Sequence, residues 1–289
     1  MLRHSISRIS FVGLGLIGTA LLLALKRAAQ ASGKRIEFIG YDPGLGRDDI
    51  DCITGTYGLD RFEPDPDKHY DADLIVLAAP VRTNIALLDE IRRHAPAGVV
   101  VTDVSSTKSL IAVKASELGI PFIGMHPIAG REQQGFRAAS ADLLAGRLMV
   151  ICADARLLAS GIGREFLALV ESCGCVPAFM TPEEHDRVFA NISHLPQLIS
   201  TALITFCSDH IGSSGPGFAS ATRLAGSAWQ IWRDIIATNS ENISRELDSF
   251  AGTLKQLAQD IKEQKLDTLE ATFSKANSLY QTLQEKNRL

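Results

Sequence analysis

The chain has 289 residues, 46% of them hydrophobic, and a formal net charge of -4. That length suits two domains, and the slightly acidic balance excludes the basic surface that a nucleic-acid partner would need. No apolar run approaches a membrane span, and the polar segment Met1–Ser7 lacks the apolar core of a signal peptide.

Near the N-terminus, the apolar run Ile9–Val12 predicts a strand. It ends in Gly13-Leu14-Gly15-Leu16-Ile17-Gly18, and an alanine- and leucine-rich helical run follows. Strand, glycine turn and helix with G-x-G-x-x-G spacing make a dinucleotide-binding loop. Gly13 permits the turn, Gly15 lets the backbone approach a pyrophosphate, and Gly18 lets helix and strand pack closely. Free N–H groups at the helix start, around Leu16 and Ile17, face the anion. A second strand, Arg35–Tyr41, ends in Asp42. A carboxylate there accepts from ribose hydroxyls and repels a 2′-phosphate, so NAD is expected over NADP. Arg47 is the one nearby group that could reach a 2′-phosphate.

An acidic, glycine-rich stretch over 43–73 is expected to hold a short helix and strand. Leu74–Ala78 predicts a buried parallel strand, and Ala79-Pro80-Val81 then suits either a loop beside the cofactor or a plain turn. A helix over Thr83–His94 leads to the strand Val99–Thr102. Asp103-Val104-Ser105-Ser106-Thr107-Lys108 follows at a helix start. A helix cap accounts for one hydroxyl or for Asp103, but not for the whole cluster, and Asp103 joins the residues expected at the cofactor. The strand Phe122–Gly124 gives way to a loop in which His126 is fixed by Pro127, an acid–base candidate just past a strand end. A strand over Leu148–Cys152, a helix over Arg156–Cys173 and a strand over Val176–Phe179 complete the alternation. The fold expected is α/β: a Rossmann-type doubly wound sheet over residues 1–180, followed by an all-α domain over 181–289.

Thr181-Pro182-Glu183-Glu184 opens that second domain with a threonine cap, a proline at the first helical position and a capping-box glutamate. The helix carries His185 and Asp186, then Ser193-His194-Leu195-Pro196-Gln197, where Pro196 should kink or break it. Beyond the breaker Ser213–Gly217, Arg223 is a candidate bidentate clamp for a carboxylate. Apolar seams from Ile243 to Ile261 and from Leu266 to Leu283 predict two long helices in a hairpin, and a homodimer that buries their faces. The five cysteines, Cys52, Cys152, Cys173, Cys175 and Cys207, are odd in number and lack zinc spacing, so reduced thiols in the cytoplasm are expected.

Taken together, G-L-G-L-I-G at 13–18, D-V-S-S-T-K at 103–108, H-P-I-A-G at 126–130, S-H-L-P at 193–196, T-R at 222–223 and W-R-D at 232–234 span nearly the whole chain. As an ordered set they make the chain resemble the prephenate and arogenate dehydrogenases of tyrosine biosynthesis. The resemblance implies an NAD-dependent oxidative decarboxylation. A neutral His126, helped by Ser106, would accept from the ring hydroxyl as hydride leaves. Arg223 would hold a substrate carboxylate, and His194 would line the pocket. Many prephenate-specific members carry histidine where Gln197 stands, so a neutral Gln197 would admit arogenate. Arg131, where some members have threonine, would pull back toward the dianion. No room remains for a fused chorismate mutase or a C-terminal regulatory domain, so tyrosine feedback would act at the active site. Two alternatives are a similar redox enzyme for another small acid, such as an amino-substituted prephenate or a hydroxy acid, and a non-catalytic dinucleotide-binding sensor. The set Ser106, His126 and Arg223 argues against the sensor, which would need only the glycine loop.

Overall fold

Among the described residues, eight short segments, most of them apolar, pair into a single sheet in the order β3-β2-β1-β4-β5-β6-β7-β8. They are β1 Arg8–Val12, β2 Glu37–Tyr41, β3 Arg61–Phe62, β4 Leu74–Leu77, β5 Val100–Asp103, β6 Phe122–Pro127, β7 Leu148–Cys152 and β8 Val176–Phe179. The computed structural model describes residues 5–130 and 133–288. From β3 to β6 every pairing is parallel, which is the doubly wound arrangement expected from the sequence. Its strand order reverses between β1 and β4, and ligands of such sheets bind at that point, beyond the strands' carboxyl ends.

Both faces of the sheet are covered. Phe11, Leu74 and Val76 pack with Leu21, Leu22 and Leu25 of the helix Leu16–Ala31, whereas Ile75, Leu77 and Val101 pack with Leu88 and Ile91 of the helix Val81–His94. Near-continuous apolar strands such as Leu74–Leu77 read as they do because both of their faces are buried.

Two local features differ from the sequence expectation. β6 runs on to Pro127, so His126 lies inside a strand rather than beyond its end. The cause is β7, which pairs antiparallel with β6 from Gly124↔Cys152 to Pro127↔Met149, past the point where β5 stops. The helix expected over Arg156–Cys173 is two helices, Ala155–Leu158 and Gly161–Ser172. Ser160 caps the second by accepting from Gly163 N at 3.1 Å. A Cβ at Gly163 would lie 2.1 Å from Leu157 O, so glycine permits the tight joint.

The chain divides into two compact units, residues 1–240 and 241–289. The first takes in the helices Pro182–Phe189, Leu195–Phe206 and Trp229–Thr238 together with the sheet. Residue 181 marks the change from sheet to helices. The capping box at Thr181 and Glu184 is formed in full. Pro196 sits in the first turn of Leu195–Phe206, and the distortion falls just before it, as a π-turn over Ala190–His194. The second unit consists of the long helix that runs on to Lys262 and the helix Leu266–Arg288. On these two helices Leu254, Leu266, Phe273, Tyr280 and Leu283 are exposed.

Candidate active site

The glycine loop forms a cradle for which each glycine has a separate cause. Gly13 adopts φ +98°, and a Cβ there would lie 2.5 Å from the Ala78 backbone. A Cβ at Gly18 would lie 2.4 Å from Gly13 O, whereas one at Gly15 would meet nothing within 4 Å. Gly13 and Gly18 are thus packed tight, and Gly15 faces open space. The helix that starts at Leu16 and Ile17 has no side-chain cap and no acidic residue in its first turn, so its first N–H groups are left for an anion. Asp42 closes one side: its carboxylate accepts from Leu14 N at 2.8 Å and from Gly44 N at 2.8 Å. Each oxygen keeps a further lone pair. Arg47 begins the next helix and is exposed.

Ala79 and exposed Pro80 border the cradle, held by a residue to which sequence reasoning assigned no role. The fully buried Asn84 accepts from Ala79 N at 3.1 Å and donates to Ala79 O at 2.9 Å and to Ser105 Oγ at 2.9 Å. It ties the loop after β4 to the loop after β5, where Ser106 is half-buried.

Asp103, expected at the cofactor, is held at the end of β5 by partners within the chain. It is 0% exposed and forms an ion pair of 2.5 Å with Lys108, also 0% exposed. Its oxygens also accept from Ser105 N at 3.0 Å and from Met125 N at 3.2 Å. These contacts tie the carboxylate to the start of the loop after β5 and to β6. Lys108 threads past Gly124, where a Cβ would sit 3.0 Å from its Cδ.

His126, half-buried in β6, meets a second histidine that the sequence did not assign to the site. Its Nδ1 lies 2.9 Å from Nε2 of His185, and His185 Nδ1 lies 2.9 Å from Oδ1 of Asp186. The Phe189 ring packs against both imidazoles. Asp186 also accepts from Lys108 N at 2.7 Å and from Ser109 N at 2.8 Å, which caps the helix Ser109–Glu117. Burial, followed by His185, Lys108 and His194, holds His126 protonation well below the ordinary histidine range. Burial also lowers His185, against the opposing pull of Asp186. Both rings are neutral at neutral pH. No local spacing links residues 126 and 185, so only the fold reveals the pair.

His194 extends the cluster. Asn239 Nδ2 donates to Asp186 O at 2.8 Å and approaches His194 Nδ1 at 3.3 Å, and the Trp232 ring meets His194 edge-on. Burial lowers His194 to about 4. With Nδ1 accepting, the proton resides on Nε2, a buried donor with no partner among the described residues. A ligand oxygen would satisfy it.

Gln197, expected at the substrate, is buried and bound to a neighbouring turn. Its Nε2 donates to Leu224 O at 2.7 Å, its Oε1 accepts from Ser227 Oγ at 3.2 Å, and it is 5% exposed. The amide holds the turn Arg223–Gly226, leaving exposed Arg223 on a fixed backbone. Arg131 lies outside the described residues.

Residues 25–162 match the family model described as prephenate dehydrogenase, nucleotide-binding domain, and residues 181–275 match that described as prephenate dehydrogenase, dimerization domain. The chain belongs to the prephenate/arogenate dehydrogenase family. It is 27% identical over 294 residues to the prephenate dehydrogenase of Lactococcus lactis, across 96% of this chain and 77% of that one. The crystal structure of prephenate dehydrogenase from Aquifex aeolicus in complex with hydroxyphenyl propionate and NAD+ superposes with a TM-score of 0.83 at 26% identity, covering 94% of this chain and 96% of that one. Synechocystis arogenate dehydrogenase superposes with a TM-score of 0.80 at 27% identity, covering 94% and 98%. Family members thus bear both substrate names, and the fold is common to them.

Proposed function

We propose that the protein is an NAD-dependent dehydrogenase that oxidatively decarboxylates prephenate to 4-hydroxyphenylpyruvate in tyrosine biosynthesis. The observation that carries the reading is the neutral, half-buried imidazole of His126 at the carboxyl edge of a doubly wound sheet. In register, Val12 of β1 aligns through Leu77 and Asp103 with Gly124 of β6. Three strand spacings, roughly 14 Å, separate the glycine cradle from β6. An extended dinucleotide can bridge that distance.

The residues fit such a cofactor, because open space over Gly15, uncapped N–H groups at Leu16 and Ile17, and Asp42 at the end of β2 match pyrophosphate and ribose. When bound, NAD supplies the acceptor for the hydride that leaves the hydroxyl-bearing ring carbon. His126 takes the hydroxyl proton, or a strong hydrogen bond from it, as positive charge grows on that carbon. Loss of the ring carboxylate as CO2 sends its bonding pair into the ring, and His126 returns the proton to the phenol oxygen. The protein contributes position and a low-dielectric surround more than driving force, since aromatisation is itself downhill. Ser106 supports His126, and His194 donates from Nε2 into the pocket.

Arg223 holds a substrate carboxylate in this reading, and Arg131 is a second candidate substrate contact. For Arg223→Ala a rise in KM of about 10- to 100-fold is expected, the cost of one charge-assisted pair. An unaltered KM in initial-rate assays would remove Arg223 from the site.

Gln197, beside the turn that bears Arg223, and Arg131 are the residues proposed to set the balance between prephenate and arogenate, and arogenate is the second substrate we propose. Tyrosine, which shares the aromatised ring, would compete at the same site. The exposed seams of the long helices are the surface a second copy would cover in a homodimer. The five cysteines are free thiols, in keeping with a cytoplasmic enzyme.

The test is initial-rate formation of reduced cofactor with prephenate and arogenate, each against NAD and NADP. Activity on prephenate with NAD is expected to be highest. Silence in all four combinations, from folded protein that binds NAD, would overturn the reading in favour of another acid or a sensor.

A further inference from the structure

The active-site histidine does not stand alone on its strand, and the chain of contacts behind it has only one consistent arrangement of protons. We propose that Asp186 and His185 are positioning residues that fix His126 in the tautomer with its proton on Nδ1, so that Nε2 presents a lone pair to the reacting hydroxyl.

Begin at the buried end. Asp186 is 1% exposed and accepts from Lys108 N, Ser109 N and His185 Nδ1. Burial alone would raise its carboxyl, but the hydrogen bonds from His185, Ser109 and Lys108 outweigh burial and hold it below the usual range. It is therefore an anion with no proton to give. An acceptor-only group at 2.9 Å forces the proton of His185 onto Nδ1. A neutral His185 then has a bare Nε2, which can only accept. The atom facing it at 2.9 Å is His126 Nδ1, which must be the donor. Neutral His126 is left with its lone pair on Nε2. The reverse polarity would need a second proton on His185 or a proton on Asp186, and the surroundings oppose both. Lys108 and His194 face the two imidazoles as cationic or neutral neighbours, Phe189 packs on both, and Asp103 lies beyond Lys108.

The arrangement spans three separate elements. β6 brings His126, the helix Pro182–Phe189 brings His185 and Asp186, and the helix Ser109–Glu117 fixes Asp186 through its first N–H groups. Asn239 also donates to Asp186 O, so a fourth element braces the same residue. The proposal deepens the dehydrogenase reading and rests on it only for the identity of the hydroxyl. The tautomer itself is a property of the protein without substrate.

The test is nitrogen-15 NMR of histidine-labelled, substrate-free protein at neutral pH, with His126 assigned by its loss in His126→Asn. A protonated Nδ1 and a bare Nε2 are expected, and a protonated Nε2 would overturn the proposal whatever substrate the enzyme uses. In Asp186→Asn the carboxamide can donate to His185, which reverses the polarity of the chain. A shift of His126 toward the Nε2-protonated form is expected, with kcat lower by about 100-fold or more and KM within about twofold. A structural cap alone would lower stability and leave the tautomer unmoved. Should Asp186→Asn fail to fold, His185→Gln and His185→Leu decide the matter. Glutamine keeps an oxygen that can accept from His126 Nδ1 and should retain kcat within about tenfold, while leucine keeps none and should lose more. Equal kcat in the two would overturn the proposal.

Discussion

Replacement of His126 by asparagine is expected to lower kcat on prephenate by about 100- to 10,000-fold, the usual worth of a placed general base, with NAD affinity unchanged. The asparagine amide can still hydrogen bond to the substrate hydroxyl, but it cannot carry the proton as hydride leaves. The glycine cradle, Asp42 and the Asn84 brace lie on other strands and loops, so cofactor binding measured by calorimetry should persist. Unchanged turnover would remove His126 from the chemistry. The pH profile carries a second, signed expectation. The neutral ring is the active form, and its surroundings hold its protonation well below 6.5. Activity dependent on His126 should therefore persist as pH falls through 6.5 and be lost only well below it. An acid limb centred at 6.5 would mean that burial and the neighbouring Lys108 do not act on the ring as the geometry indicates.

Lys108→Met is expected to produce the largest loss of stability. The substitution keeps most of the alkyl chain that threads past Gly124 but leaves the Asp103 carboxylate without a cation in a fully buried site. Breaking such a pair costs about 3–5 kcal/mol, or roughly 6–20 °C in Tm for a unit of this size, read by thermal unfolding. Ser105 N and Met125 N still donate to Asp103 and keep the loss finite. Combining Lys108→Met with Asp103→Leu should recover much of it, because no unpaired charge then remains. An unaltered Tm in the single variant would show that the pair contributes nothing to the fold. The single variant should also raise the protonation of His126, since it removes a nearby positive charge.

Several parts of this site could be read from the chain because their causes are local. The three glycines lie within one loop; Gly13 and Gly18 answer to contacts with that loop or the strand beside it, and Gly15 to the open space above it. Thr181, Pro182 and Glu184 specify a helix start within four positions. His126 was legible as a chemical group, from its proline and the strand Phe122–Gly124 before it, but the extension of that strand through His126 to Pro127 was not. The antiparallel partner that extends β6 follows only after a long connection, and pairing direction leaves little local trace. Asp103 and Gln197 show a different limit. A carboxylate at a strand end and an amide on a helix have the right chemistry for ligands, and each also holds a partner that the sequence alone did not assign to it: Lys108 for one, the 224–227 turn for the other. The relay through His185 and Asp186 is the far end of that scale, since the contact to His126 and the N–H groups of Lys108 and Ser109 join it only when three elements come together.

The π-turn over Ala190–His194 has a consequence for how such a site can change over time. In an unbroken α-helix, His185 and His194 would stand roughly half a turn out of phase. A π-turn takes in one extra residue and brings the second histidine round by about 100°, onto the side where Asn239 joins it to Asp186. Deleting one residue within 190–193 would restore an ordinary helix and keep every functional side chain in the chain. It would nonetheless rotate His194, Gln197 and the turn that bears Arg223 away from His126. An insertion or deletion of one residue here is thus a change of aim, not of content, and related chains that differ by a residue at this point need not share a substrate even where every motif is intact.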